Sequence, residues 1–63
     1  MEEDKRLKFK KIYMNLPEKI RLEDIIVVLD GKPFNWNAAY FEVNNNTITG
    51  KKILDKLVEM KLL

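Results

Sequence analysis

The stretch Leu22-Glu23-Asp24-Ile25-Ile26-Val27-Val28-Leu29-Asp30-Gly31 decides the fold of this chain, because it reads two ways. Leu22, Ile25, Ile26 and Leu29 fall at i, i+3, i+4 and i+7, one face of a helix. Pro17 suits the first turn of such a helix, Glu18 the positive end of its dipole, and Gly31 the position just past its end. Against this, Ile25 to Val28 are four β-branched residues in a row, which favours a strand. Asp30-Gly31 is then a hairpin turn leading into Phe34. The charged Lys19, Arg21, Glu23 and Asp24 and the length of the run from Pro17 weigh for the helix. A helix is therefore the expectation, with a strand from Ile25 to Leu29 as the competing reading.

Downstream, Lys32-Pro33 is a short connector and Phe34 a lone apolar residue in an extended position. Asn35 is a competent N-cap, its side-chain oxygen free to accept from the N–H of Asn37 or Ala38. Trp36, Ala39, Tyr40 and Val43 repeat the helical spacing. Asn44, Asn45 and Asn46 end that helix, since Asn tolerates the left-handed conformation next best after Gly. Thr47 or Thr49 caps a last helix whose inward positions are Ile53, Leu54, Leu57 and Val58, with Met60 beside them. Leu62 and Leu63 turn under the core. Gly50, near the start of this helix, is expected to cost little there.

Upstream, Phe9, Ile12, Tyr13 and Leu16 also follow helical spacing, and Asn15-Leu16-Pro17 is a boundary. The chain divides into a basic N-terminal segment, residues 1–16, and a helical unit, residues 17–63. Sixty-three residues make one small domain. A chain of this size buries only roughly 60% of the surface its unfolded form exposes. A second copy or another partner would supply further burial.

Charge is high and nearly balanced, with twelve basic against ten acidic residues and a net charge of +2. The distribution is uneven. Lys5, Arg6, Lys8, Lys10 and Lys11 crowd one region, Lys51, Lys52, Lys56 and Lys61 another, and acids gather from Glu18 to Asp30. The longest apolar run, Ile25 to Leu29, is far short of a membrane span, and the N-terminus has no apolar signal segment. With no Cys in the chain, a cytoplasmic location is the expectation.

The chemistry available is narrow. The chain has no His, Cys or Ser, which removes imidazole and thiolate metal ligands and Ser or Cys nucleophiles. The carboxylates are spread over helix faces and stand near Lys or Arg, as Lys19 does to Glu23 and Lys51 to Asp55. No cofactor and no enzymatic activity are expected. Thr49-Gly50-Lys51-Lys52 at a helix N-terminus is suited to a phosphate, and a nucleic-acid backbone is the natural source of one.

Capped helix, tight Asn-rich turn and Lys-bearing helix from Pro33 to Leu63 form a helix-turn-helix layout. With Leu22–Leu29 as the preceding helix, the order and apolar spacing resemble a winged-helix or helix-turn-helix DNA-binding domain of the feast/famine (leucine-responsive) regulator type. Leu54, Leu57 and Met60-Lys61-Leu62-Leu63 resemble that family's closing tail. Asn44 and Asn45 stand where the family has a turn Gly and an apolar residue, and Gly50 where it has a bulkier one. The resemblance implies an all-α or mainly α, three-helix domain with little or no wing. It implies a small DNA-binding protein, a transcriptional regulator working as a homodimer on double-stranded DNA, with helix 49–61 in the major groove. Asn46, Thr47, Thr49, Lys51, Lys52 and Lys56 would face bases and phosphates, and Lys8, Lys10 and Lys11 would add backbone contacts. Each Lys taken alone also reads as a solubilising surface charge. Asp55 and Glu59 oppose phosphate binding on the same helix. They support the alternative, a non-enzymatic protein-interaction module of a larger assembly.

Overall fold

The computed structural model describes residues 2–63. Among them are four helices and one hairpin: α1 (Glu2–Met14), α2 (Glu18–Glu23), β1 (Ile25–Leu29), β2 (Lys32–Asn35), α3 (Trp36–Asn44) and α4 (Ile48–Glu59). The domain is mainly helical with a small antiparallel hairpin, a topology compatible with winged-helix-like folds in general.

The expected helix from Leu22 to Leu29 is not formed. Helix α2 stops at Glu23, and Ile25 to Leu29 is a strand. Helical spacing lost to two local effects. Consecutive β-branched residues lose χ1 freedom in a helix and fit a pleated surface. Asp30 (φ 52°) and Gly31 (φ 78°) both adopt positive φ, as a type I′ hairpin turn demands. The turn pairs Leu29 with Lys32, Val28 with Pro33 and Val27 with Phe34, and a bulge between Ile25 and Val27 returns Ile25 to register with Asn35. Two further expectations are corrected by the same observation. The described residues form four helices, not three. They also carry a hairpin, placed between α2 and α3, where little or no wing was expected.

The core is Phe9, Val27, Ala39, Val43, Ile53, Leu54 and Leu57, with Tyr13, Ile26, Leu29, Phe34, Trp36, Tyr40 and Leu63 packed against it. Helix α1 is part of this core, since Phe9 is fully buried and its ring lies 5.6 Å from that of Trp36. Trp36 therefore packs inward. Tyr13 stacks on Tyr40 with centroids 4.1 Å apart, and its hydroxyl donates to Asn37 Oδ1 at 2.6 Å. Arg21 latches α2 to the end of α1: Nε donates to the Tyr13 carbonyl and Nη2 to the Met14 carbonyl, with the guanidinium 4.4 Å from the Tyr13 ring centroid. Val58 and Met60 lie at the surface, outside the core expected of α4.

The α3–α4 junction is built by backbone chemistry. Asn35 caps α3, accepting from Ala38 N–H at 2.7 Å, while its amide donates to the Leu22 carbonyl at 3.0 Å. Helix α3 ends in a Schellman motif: Asn46 takes φ 53°, Asn46 N–H bonds the Val43 carbonyl and Thr47 N–H the Glu42 carbonyl. Thr47 then caps α4, accepting from Gly50 N–H at 2.9 Å. Helix α4 closes at Glu59, two residues short of the expected end. It uses a second Schellman motif in which Lys61 takes φ 61° and Leu62 N–H bonds the Leu57 carbonyl.

Gly50 is buried, and a Cβ built on it would lie 2.4 Å from the Glu42 carbonyl oxygen and 2.9 Å from Val43 N. Both neighbours are backbone, so neither can rotate away. Gly50→Ala, a change that elsewhere in a helix stabilises by about 1 kcal/mol, is expected to destabilise by about 3 kcal/mol, read from the urea midpoint. Lys61→Gly relieves a left-handed lysine and is expected to add about 1 kcal/mol in the same measurement.

Candidate functional site on the helix pair

Thr47 Oγ1 accepts the Gly50 N–H and donates to Glu42 Oε1 at 2.6 Å, and the residue is half-buried. Both capacities of the hydroxyl are therefore used inside the junction. The bond also brings the Glu42 carboxylate to the N-terminal end of α4. That end carries a partial positive charge and free N–H groups, which makes it the natural phosphate position on a helix. Here the chain's own carboxylate stands beside it.

Successive helical residues are turned by about 100°, which fixes where the lysines of α4 leave the helix relative to the buried Ile53, Leu54 and Leu57. Going round the outward side, the order is Lys51, Asp55, Ile48, Glu59, Lys52, Lys56 and Thr49. Lys51 is separated from Lys52 and Lys56 by two carboxylates and an isoleucine. Lys52 and Lys56 are exposed neighbours with the half-buried Thr49 beside them, while Lys51 is half-buried on the far flank. Asn46 is exposed in the turn, its backbone committed to the left-handed conformation.

Helix α1 shows a similar dispersion. With Phe9 pointing inward, Lys8 and Lys10 leave on opposite flanks and the exposed Lys11 lies on the outer face between them. Lys5 donates to Asp55 Oδ1 at 3.0 Å, so the α4 side of α1 is the flank that continues to Lys8. This is the ion pair found among the described residues, and it takes Asp55 away from the Lys51 partner expected on its own helix. The Asp55 side chain is 65% exposed, and the pair contributes at most about 1 kcal/mol. The fold thus brings Lys8 toward Lys5 and α4, and leaves Lys10 elsewhere.

Two apolar side chains flank the turn in the open. Phe41, in the last turn of α3, is 63% exposed, and Ile48, first in α4, is 75% exposed. The sequence offered a signal for both: Phe41 falls outside the Trp36, Ala39, Tyr40, Val43 spacing, and Ile48 outside that of Ile53 and Leu57. A shallow open groove of about 330 Å³ runs along α2 between Glu18, Lys19, Leu22 and Glu23. Among the described residues no group of carboxylates is placed to hold a metal ion, and no helix is long and apolar enough to cross a membrane.

Comparison of the chain with protein-family models, with curated proteins and with solved structures finds no match in any of the three.

Thr47→Ala removes the cap of α4 and releases Glu42 from its hydroxyl partner. It is expected to lower stability by about 1 kcal/mol, read by thermal or urea unfolding. A second change to Thr47→Ser, which keeps the hydroxyl, should restore most of that loss.

Proposed function

We propose that the domain is a small, non-enzymatic docking module whose working surface is α3, the Asn turn and α4, and that it binds a protein. The observation that carries this reading is the make-up of the outward side of α4. Asp55, Glu59 and the exposed Ile48 stand between Lys51 and the Lys52–Lys56 pair, with the exposed Phe41 across the turn. A duplex presents a dense line of negative charge and rewards adjacent cations. Of the carboxylates on the central line of a groove-bound helix, Glu59 would face those phosphates without a cation, and Asp55 is already held by Lys5 of α1. Exposed aromatic and aliphatic side chains ringed by mixed charge match the make-up of protein interfaces, which bury an apolar centre inside a polar rim.

The second reading keeps the expectation of a transcriptional regulator with α4 in the major groove of double-stranded DNA. Its support is the helix-turn-helix layout together with the neighbouring Lys52, Lys56 and Thr49, with Lys8 on the adjacent helix. Asn46 and Lys11 would serve it from the turn and the outer face of α1.

A photo-crosslinking amino acid placed at Ile48 separates the two readings in cells of the source organism. Adducts with protein are the expected product, and adducts with DNA would sink the docking proposal. In solution, binding to a labelled duplex should be weak, with a slope of log affinity against log salt no steeper than about −2. Lys51→Ala with Lys52→Ala should change that affinity by less than about threefold, because the two charges are not held in one strip. A tenfold or greater loss with a steep slope would favour the regulator.

A further inference from the structure

The two free edges of the hairpin are not alike. In the two-residue turn Leu29 and Lys32 are the closing hydrogen-bonded pair, so by alternation the backbone groups of Val28 and Pro33 point away from the ladder. On β2 the outward donor is missing, because Pro33 has no N–H, and Lys32 stands beside it. Lys and Pro are the usual guards of an exposed edge. On β1 the outward N–H and carbonyl of Val28 are intact, and among the described residues no side chain and no backbone group outside the hairpin bonds to any residue of β1. Strand β1 has neither Lys nor Pro; its bulge lies between Ile25 and Val27, so the regular part of the edge is Val27 to Leu29, where Val28 faces outward. Its exposed face shows Ile25 (55%) and Val28 (57%), while Val27 is buried in the core. Exposed acids bracket it: Glu23 and Asp24 at one end, Asp30 at the other.

We propose that the outer edge of β1 is a binding site for an extended peptide segment of another protein, with an apolar, β-branched centre and Lys or Arg at both ends. The segment adds a third, antiparallel strand. Main-chain bonds to the outward groups of β1 supply the attachment, and alternate side chains rest on Ile25 and Val28. The exposed carboxylates at the ends of the strand, Glu23 and Asp24 at one and Asp30 at the other, favour an occupant with cations at both ends. Antiparallel pairing of β1 with itself about Val27 sets Asp24 opposite Asp30 of the other copy at both ends, and like charges placed opposite each other across strands are destabilising. Pairing about Val28 sets Asp24 opposite Lys32, and that register is the one a dimerisation measurement tests. Cations at the ends of a foreign strand meet the same carboxylates favourably. This site is separate from the α3–α4 surface and does not depend on what that surface binds.

The test uses the full chain, isotopically labelled, and the peptide Lys-Lys-Val-Thr-Val-Thr-Val-Lys-Lys, blocked at both ends. Binding should shift the amide resonances of β1, slow hydrogen exchange at Val28, and leave α4 unchanged. The same peptide with Glu in place of every Lys should bind about tenfold more weakly at low salt, the combined effect of a few exposed ion pairs. Asp24→Asn with Asp30→Asn keeps the turn, because Asn-Gly also suits type I′, and should remove most of that tenfold preference. Val28→Pro deletes the outward donor and should abolish binding. If that variant unfolds by circular dichroism, the double Asn variant still decides the matter. No shift on β1, equal binding of the two peptides, or shifts confined to α4 would overturn the proposal. So would concentration-dependent dimerisation that protects Val28 without peptide, which would assign the edge to a second copy.

Discussion

The approach of Gly50 to the Glu42 carbonyl is the constraint on which the rest of the structure depends. Two helices joined by three residues can cross closely only if one presents no side chain at the contact. A Cβ at position 50 would sit 2.4 Å from that carbonyl oxygen, so glycine is required by space, not by backbone angle. The Glu42 carbonyl also accepts from Thr47 N–H in the Schellman closure of α3. The end of one helix, the start of the next and their nearest contact thus share a single peptide group. With that junction set, Ala39 and Val43 of α3 meet Ile53, Leu54 and Leu57 of α4 in one cluster, and Phe9 and Val27 close it from the other side.

The junction also determines what α4 can offer a partner. Thr47 is drawn inward to cap the helix, and Glu42 follows it to the helix N-terminus. The chemistry that would make this end a phosphate site is thereby balanced from within. What remains outward is mixed in sign and partly apolar. Charge balance in the whole chain, twelve cations to ten anions, is reproduced locally on the very helix where a nucleic-acid reader would concentrate positive charge. Local sign matters more here than net charge, because interactions between exposed charges are screened within about 8 to 10 Å in physiological salt.

Much of the second half of the fold was legible in the sequence, and the reasons are local. Asn35 as cap, a Thr at 47 or 49 as cap, the Asn-rich turn and the inward Ala39, Val43, Ile53, Leu54 and Leu57 each follow from spacing or from one side chain's hydrogen-bonding reach. The first half was less legible. At Ile25 to Leu29 the apolar spacing pointed to a helix, and only the β-branched run and the Asp-Gly pair pointed to a strand. The residue pattern was decided by β-branching and by a turn in which Asp30 and Gly31 both accept positive φ. Gly50 was misread for a different reason: its value lies in a contact with a carbonyl eight residues away, which no pattern encodes. The Arg21 latch on the end of α1 and the Lys5–Asp55 pair are likewise tertiary, linking residues whose neighbours in sequence suggest other partners. For the candidate site, the sequence located the lysines but not their divergence. That follows only once the inward face of each helix is known.

The hairpin extends the same reasoning to the other side of the molecule. Two strands alone are marginal in water, and this pair persists because Val27 is pinned into the core and Asn35 is tied both to α3 and to the Leu22 carbonyl. Such anchoring acts on one face and one end. It leaves the outward groups of Val28 without a hydrogen-bond partner among the described residues, while Pro33 and Lys32 blunt the opposite edge and a bulge bends β1 between Ile25 and Val27. Bracketing Val28 with carboxylates restricts which chains can pair there: a strand with basic ends meets them favourably, and a copy paired about Val27 sets acid against acid. The asymmetry is therefore a selectivity device, in which the backbone provides attraction and the flanking charges decide among candidates.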